Sequence, residues 1–375
     1  MLKKFALSLM ILLSLCGISF ADFIYTTESG ILGTIRTSES FDVEAPSIQY
    51  RGNMSSAFVT SFWNGKTSNV LLVDRYGSLS GDRGYVFNPS ELSTFTASYD
   101  IAGVYGTELA AFALNGYSLY LTAGSEIYDI DTYNFKVINS FDCTKVISRD
   151  DYATQIRSIV VDTSIIHVLV NVGEESKYLR FDGQLKKDGV NYFRSFDVSP
   201  GASVVLGTNN NLAAVGHSLG IDMLSSNNKF YRLLSTYNPV KAICPDESGG
   251  MFYATQTTNG GTYTNTIRHY STSELSSNQS TQTIESSSPN ITLLRDTTRL
   301  DIFAAMTDEK ITVFSYVDGL ITTWEFTSSD LGGNPAAITA ASVKGYSSSS
   351  SSSGCSSVYA GLVMIAVIPF MLRKR

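Results

Sequence analysis

His167, His217 and His269 are the only histidines in a chain of 375 residues, and each sits in a different setting. General acid–base or metal chemistry needs partners converging at ligand spacing, and no such partners flank any of the three. His167 lies inside the apolar run HVLVNV and reads as packing, while His269, in TIRHYS, is expected to alternate outward. His217, in the loop Gly216-His217-Ser218, is the best placed of the three for function. Asp129 and Asp131 stand two apart on a predicted strand, so they project to one side and could bind calcium. The ordinary use of such a pair is to cap a turn. Arg149-Asp150-Asp151 reads as a solvated loop.

Other chemistry is thin. No G-x-S-x-G elbow, zinc motif or phosphate-cradling glycine loop occurs, and Gly260-Gly261 after Asn259 reads as a turn. Trp63 and Trp324, with 21 Tyr and 20 Phe, could line a carbohydrate or peptide groove, although aromatic rings equally fill the interior of an all-β fold. The net charge of -7, with no Lys/Arg cluster in the body, argues against nucleic acid as a partner. No cofactor is implied.

The elements that would position these residues are strands. Tyr, Phe, Thr, Val, Ile and Ser are abundant, only 16% of residues are charged, and no long segment has a 3.6-residue apolar period. The clearest unit is Ser118 to Phe141: Leu119 to Thr122 is one β-prone run, Gly124-Ser125 breaks it, and Ile127 to Ile130 is a second. Asp131 to Asn134 makes the next turn, and Phe135 to Ile138 is expected to begin a third strand. So small a unit cannot bury both faces alone and needs copies of itself beside it.

Such copies recur. Candidate first strands begin at or near Phe23, Leu71, Leu119, His167, Leu212, Met251 and Ile302, spaced by 39 to 51 residues. That range suits propeller blades of roughly 40–50 residues. Phe58 competes with Leu71 as the second anchor, which leaves six to eight blades open around a preferred seven. The turns at Asn64-Gly65, Asn227-Asn228 and Asp318-Gly319 use residues that accept positive φ. A β-sandwich is the structural alternative, but about 320 residues would need two or three sandwich domains, and the body has no linker to separate them. The predicted class is therefore all-β: one β-propeller over residues 22–341, its ring completed by the strand after Phe23 or one after Trp324.

The segment Ser118 to Phe141 resembles the YVTN-type surface propeller repeat, in which strands like LYLT, EIYDID and FKVINSF follow one another. The other blades match it loosely, so the resemblance implies fold rather than function. Cys143 and Cys244, 101 residues apart, both follow a strand at what read as similar blade positions. Two separate buried thiols are the expected state, with a bridge the alternative in an oxidising compartment.

Both ends of the chain read as addresses. Lys3 and Lys4, the apolar run Phe5 to Leu15 and the small residues of Ser19-Phe20-Ala21 form a signal peptide over residues 1–21, cut after Ala21 by signal peptidase. Cys16 raises a lipoprotein alternative, which the bulky Leu15 opposes. Residues 342–357 form a Ser-rich linker with a serine run at Ser347 to Ser353 and then Gly354-Cys355. Residues 358–375 follow: a short apolar helix, Val358 to Leu372, and the basic end Arg373-Lys374-Arg375, which the positive-inside rule keeps cytoplasmic. A plain transmembrane anchor is one reading. In this order of parts the tail resembles the tripartite bacterial sorting signals of the Synergist-CTERM type. That resemblance implies export, cleavage near Gly354-Cys355 by an envelope sorting protease, and attachment at the cell surface. Pro369 interrupts the helix.

The expected function is that of a non-enzymatic binding module at the cell envelope, recognising a protein or carbohydrate through loops on one face. A propeller enzyme of lactonase or lyase type, and a structural surface-layer component, are the alternatives.

Overall fold

In a computed structural model the chain forms a seven-bladed β-propeller, each blade an antiparallel four-stranded sheet. The residues described are 21–341, apart from 38–41, 55, 113–117, 147–153, 163–164, 174, 183–184, 186–192, 208–212, 226, 247–249, 272–279, 297–300 and 318–319. Blade 2 is continuous in the chain and runs outward from the axis as Ala57–Trp63, Ser68–Ser78, Gly81–Phe87 and Ala97–Ala102. Blades 3 to 7 repeat the pattern over 109–142, 154–198, 204–235, 240–286 and 292–327. Blade 1 is composite. Its inner strand is Pro335–Ala340 from the end of the body, and its other three are Ala21–Thr27, Ile31–Thr37 and Ser47–Arg51.

The ring is therefore closed by hydrogen bonds between the two ends of the domain, with Phe23 opposite Ala340 and Tyr25 opposite Ile338. The strand at Phe23 and the one after Trp324, expected as alternatives, close it together. Across the closing seam Ser61 Oγ donates to the Ala340 carbonyl at 2.5 Å, and the Tyr25 hydroxyl donates to the Leu331 carbonyl at 3.2 Å. Leu331 belongs to a one-turn helix, Ser328–Leu331, which leads into the closing strand and whose Asp330 carboxylate accepts the Thr327 backbone N–H.

Seven apolar clusters, one at each seam between neighbouring blades, form the core. Side chains of a strand alternate between the two seams it faces. In blade 2, Val70 and Leu72 pack toward blade 1, and Leu71 and Val73 toward blade 3. A second strand is buried on both faces and so reads as a continuous apolar run. This explains the seven anchors. Phe23, Leu71, Leu119, His167, Met251 and Ile302 all lie in second strands, and the second strand of blade 5 starts at Ala213, beside the undescribed Leu212.

Each blade thus has one strand more than the three-strand unit read at Ser118 to Phe141, at the period already read from the anchors. Each blade carries an additional strand on the axial side of the anchor, and Phe58 is in that inner strand of blade 2 while Leu71 is the anchor. Phe135 does not begin a strand. It sits in the turn at φ 54°, with its N–H donated to the Asp131 carbonyl and its ring buried between Phe62 and Tyr99. The outer strand of blade 3 starts at Val137.

Antiparallel order fixes which loops share a face. One face, here called upper, carries the turns between second and third strands and the links from each outer strand to the next blade. The lower face carries the remaining turns, and both ends of the domain, Ala21 and Ala341, leave from it.

Candidate functional site

The three histidines do not converge. His167 is fully buried in blade 4, its Nδ1 2.7 Å from the Tyr178 hydroxyl, and burial lowers its pKa to about 4. His217 is also fully buried, at the upper end of blade 5, although it was expected in a loop. Its Nδ1 accepts the Leu219 N–H at 3.1 Å, and its Nε2 lies 3.2 Å from Asp222, whose carboxylate also accepts Arg232 Nε and Ser199 Oγ. Burial lowers the His217 pKa, so the ring is a neutral strut between loops. His269 does not alternate outward. It is buried near the lower face of blade 6, with Nε2 2.7 Å from Asp246 Oδ2 and Nδ1 3.1 Å from the Tyr316 hydroxyl of blade 7. The rings of Phe252 and Tyr316 flank it at 4.6 Å each.

The two aspartates of blade 3 divide their work. Asp131 accepts the Tyr133 N–H at 2.7 Å and the Asn134 amide at 3.1 Å, so it caps the turn. Asp129 is buried beside Ser118 and Asn139, Oδ1 has no hydrogen-bond partner, and burial pushes its pKa to about 6. Among the described residues no group of three His, Cys, Asp or Glu side chains is placed to hold a metal ion.

Cys143 and Cys244 are separate buried thiols. Their positions differ from the sequence reading: Cys143 follows the outer strand of blade 3, whereas Cys244 is within the inner strand of blade 6. Burial raises both thiol pKa values, that of Cys244 to about 12. Trp63 ends the inner strand of blade 2 and Trp324 lies on the outer strand of blade 7, so they line no common groove. Gly260 and Gly261, at φ 58° and 88°, make the expected hairpin turn. Arg149, Asp150, Asp151, Asp318, Gly319, the signal peptide up to Phe20 and the tail beyond Ala341 lie outside the described residues, while Ala21 begins the strand Ala21–Thr27. Among those described, no helix is long and apolar enough to cross a membrane.

The surface chemistry is concentrated on the upper face. Of the ten large apolar side chains exposed among the described residues, Tyr76, Leu79, Tyr105, Leu219 and Tyr237 stand there, against Phe95, Tyr133 and Val317 on the lower face. Tyr76, Leu79 and Tyr105 form one platform at blade 2, and a single carboxylate holds it in shape. Asp82, fully buried, accepts the N–H groups of Tyr76 at 3.0 Å, Gly106 at 2.8 Å and Thr107 at 2.7 Å, and the Thr107 hydroxyl at 2.7 Å.

Charge-assisted bonds of this kind are about twice as strong as neutral ones, and here they tie two loops to one point. They hold Tyr76 at φ 63°, a conformation unfavourable to a residue with a side chain. A Cβ on Gly106 would lie 2.5 Å from the Tyr76 hydroxyl, so the glycine gives that ring its place. The Tyr105 hydroxyl donates to the Leu79 carbonyl at 3.3 Å. Beside the platform the Arg75 guanidinium lies 5.8 Å from the centre of the Phe58 ring, and burial lowers its pKa.

A second feature of the same face is a cavity of about 300 Å³ between blades 5 and 6. Its rim carries Tyr237, whose side chain is wholly exposed. Neither feature was found by sequence reasoning. Asp82 and Thr107 are 25 residues apart, and only the Gly- and Tyr-rich composition of YGSLSGD and VYGT marks them as loops.

No protein-family model matches the chain, and no curated protein matches it. Among solved structures it is similar to a protein of unknown function from Bacteroides caccae, at 8% identity and a TM-score of 0.40, over 73% of this chain and 99% of that one. It is also similar to the extracellular domain of the candidate one component system BT4673 from B. thetaiotaomicron, at 12% identity and a TM-score of 0.38, over 82% of this chain. In the latter case the match spans 46% of the other chain.

Proposed function

We infer that the protein is an exported binding module whose upper face meets a surface partner, while the lower face is turned toward the cell envelope. The observation that carries this reading is the platform of Tyr76, Leu79 and Tyr105: apolar side chains left exposed, 66% and 103% for the first two, by loops that a buried carboxylate holds rigid. Rigid exposed aromatics are characteristic of interaction surfaces, because they bury much area at a small entropic cost. Both ends of the domain, Ala21 and Ala341, leave from the face opposite the platform.

The address belongs to the same proposal. Signal peptidase cuts after Ala21, and an envelope sorting protease acts at Gly354-Cys355 once Arg373, Lys374 and Arg375 have stopped transfer. Mass spectrometry of the mature protein should find no residue before Asp22 and no tail beyond the Gly354-Cys355 region. An intact Arg375 in the envelope fraction removes the sorting step.

The binding face is tested with photo-crosslinking side chains placed at Leu79 and, on the lower face, at Phe95 in producing cells. Discrete adducts should form from Leu79 and not from Phe95, and Tyr105→Ser should abolish them. Adducts from Phe95 alone, or from neither position, refute the reading. The lactonase or lyase alternative requires acidic and His side chains from several blades to meet on one metal. The three histidines, two buried in blades 4 and 5 and one near the lower face of blade 6, do not supply that arrangement.

A further inference from the structure

The cavity between blades 5 and 6, of about 300 Å³, is at the small end of the range for ligand sites. It offers no free charge. Among the described residues no carboxylate lines it, and Arg268, the one cation in its lining, is already engaged within the protein. An ionised ligand would lose hydration here without gaining a counter-charge, so the site favours an uncharged one.

The rim belongs to one stretch of chain, the end of the outer strand of blade 5 and the link to blade 6. Ser235, Tyr237 and Asn238 line the cavity from it, and among the described residues none of their side chains makes a hydrogen bond. The backbone beneath them is fixed at both ends. The Thr236 N–H donates to the Leu219 carbonyl at 3.1 Å, the Thr236 hydroxyl to the Asn238 carbonyl at 2.7 Å, and the Gln256 N–H of blade 6 to the Pro239 carbonyl at 3.0 Å. Leu219 is itself anchored, its carbonyl accepting Arg232 Nη1 at 3.1 Å and its N–H donating to the buried His217 at 3.1 Å. A wholly exposed aromatic ring and two unengaged polar side chains thus stand on a link tied to both blades, and a ligand does not have to order it.

We propose that this cavity binds one neutral pyranose residue, the C–H face of its ring against Tyr237 and its hydroxyls on Asn238 and Ser235. The inference rests on the reading of the upper face as the binding face. A pyranose is apolar on the faces of its ring and polar around its edge, and this rim has the same division: one aromatic face with an amide and a hydroxyl beside it. The amide donates and accepts, and the hydroxyl does either, so neighbouring sugar hydroxyls are met in both roles. An apolar peptide side chain would leave those groups facing hydrocarbon, unpaired. A free monosaccharide and the end residue of a surface glycan share the pyranose chemistry.

The test is ligand-observed NMR titration of the full chain with the methyl glycosides of glucose, galactose and mannose, against mannitol and glucuronate. At least one glycoside should bind saturably and at least about fivefold more tightly than mannitol, which has the hydroxyls but no ring face. Glucuronate should gain no more than about twofold over methyl glucoside, since an available counter-charge would give about tenfold. Tyr237→Ala should weaken the preferred glycoside about fivefold, Tyr237→Phe should leave it unchanged, and Asn238→Ala should weaken it about fivefold. Because Tyr237 is wholly exposed, its replacement leaves the core intact. A disaccharide ending in the preferred sugar should bind as well as the glycoside if a chain end is the natural ligand, and be excluded if a free sugar is.

No saturable binding of any glycoside, equal affinity for mannitol, a preference of about tenfold for glucuronate, or undiminished binding by Tyr237→Ala overturns the proposal. Loss of sugar binding with persistent adducts from Leu79 ends this inference and leaves the upper-face reading standing. Absence of both ends the two together.

Discussion

Replacing Asp129 by Asn and His167 by Gln, one at a time, should tilt the pH dependence of stability in opposite directions. Both groups are buried, at 1% and 0% exposure, and they lie in neighbouring blades without touching. The pKa of Asp129 is raised to about 6 by burial, so between roughly pH 4 and 6 the folded state holds a proton that the unfolded chain has released. Its contribution to stability falls as pH rises through that window, by about 3 kcal/mol at 1.36 kcal/mol per unit. The pKa of His167 is lowered to about 4 by burial, so between roughly pH 4 and 6.5 the unfolded chain holds the extra proton. Its contribution falls as pH drops, again by about 3 kcal/mol.

In the native chain the two slopes oppose each other and largely cancel. Asp129→Asn leaves the His167 slope alone, so the variant should lose about 3 kcal/mol relative to wild type on acidification from pH 6.5 to 4. His167→Gln should gain about as much over the same interval, whatever constant cost follows from losing its contact with Tyr178. Urea unfolding at pH 4, 5, 6 and 7 reads both slopes, and taking differences from wild type removes every other titrating group. Variant profiles parallel to that of wild type would refute the assignment of buried, oppositely shifted groups.

Other perturbations test the platform and the closure. Asp82→Asn leaves at least one of three buried N–H groups facing an amide donor, and should cost about 3 kcal/mol, with accelerated hydrogen exchange at Tyr76, Gly106 and Thr107. Gly106→Ala adds a Cβ at φ 75° in the space of the Tyr76 hydroxyl; it should destabilise by about 1–2 kcal/mol and displace that ring, visible in a crystal structure. Removing Pro335–Ala340 exposes the edge at Ile24 and the seam around Phe23 and Tyr25, and should yield an aggregating chain by light scattering.

What could be read from the sequence follows from how each strand is buried. Second strands such as LLVD at Leu71 and LYLT at Leu119 face apolar seams on both sides, so their composition alone gave the period and the blade count. Inner strands were legible in blade 2, at Phe58, and escaped notice where they are shortest. Leu109–Phe112, Val204–Gly207 and Thr292–Arg295 are four residues each, too short to show alternation, and they are defined by neighbours rather than by their own pattern. Short hairpins at Asn64-Gly65 and Gly260-Gly261 were legible because local sequence decides them. His269 was misplaced because strand alternation cannot say that both sides are covered, here by Asp246 on one and Tyr316 of the next blade on the other. The platform and the cavity join residues separated by 25 residues or more in the chain, such as Asp82 with Thr107 and Tyr237 with Arg268, and exist only once the intervening strands have paired.

That closure also sets an order of events during synthesis. As the chain emerges amino end first, blades 2 to 7 can each be completed from contiguous sequence, but blade 1 must wait with three strands for its fourth, Pro335–Ala340, the last strand of the body. Until then the edge at Ile24 remains an open template that a second chain could occupy, which would exchange closing strands between molecules. The closing strand begins at Pro335, shortly after the one-turn helix at Ser328–Leu331, whose Leu331 carbonyl accepts the Tyr25 hydroxyl of the waiting strand. Because the two are joined in one chain, the high effective concentration of that strand at its own edge favours closure within the molecule over exchange.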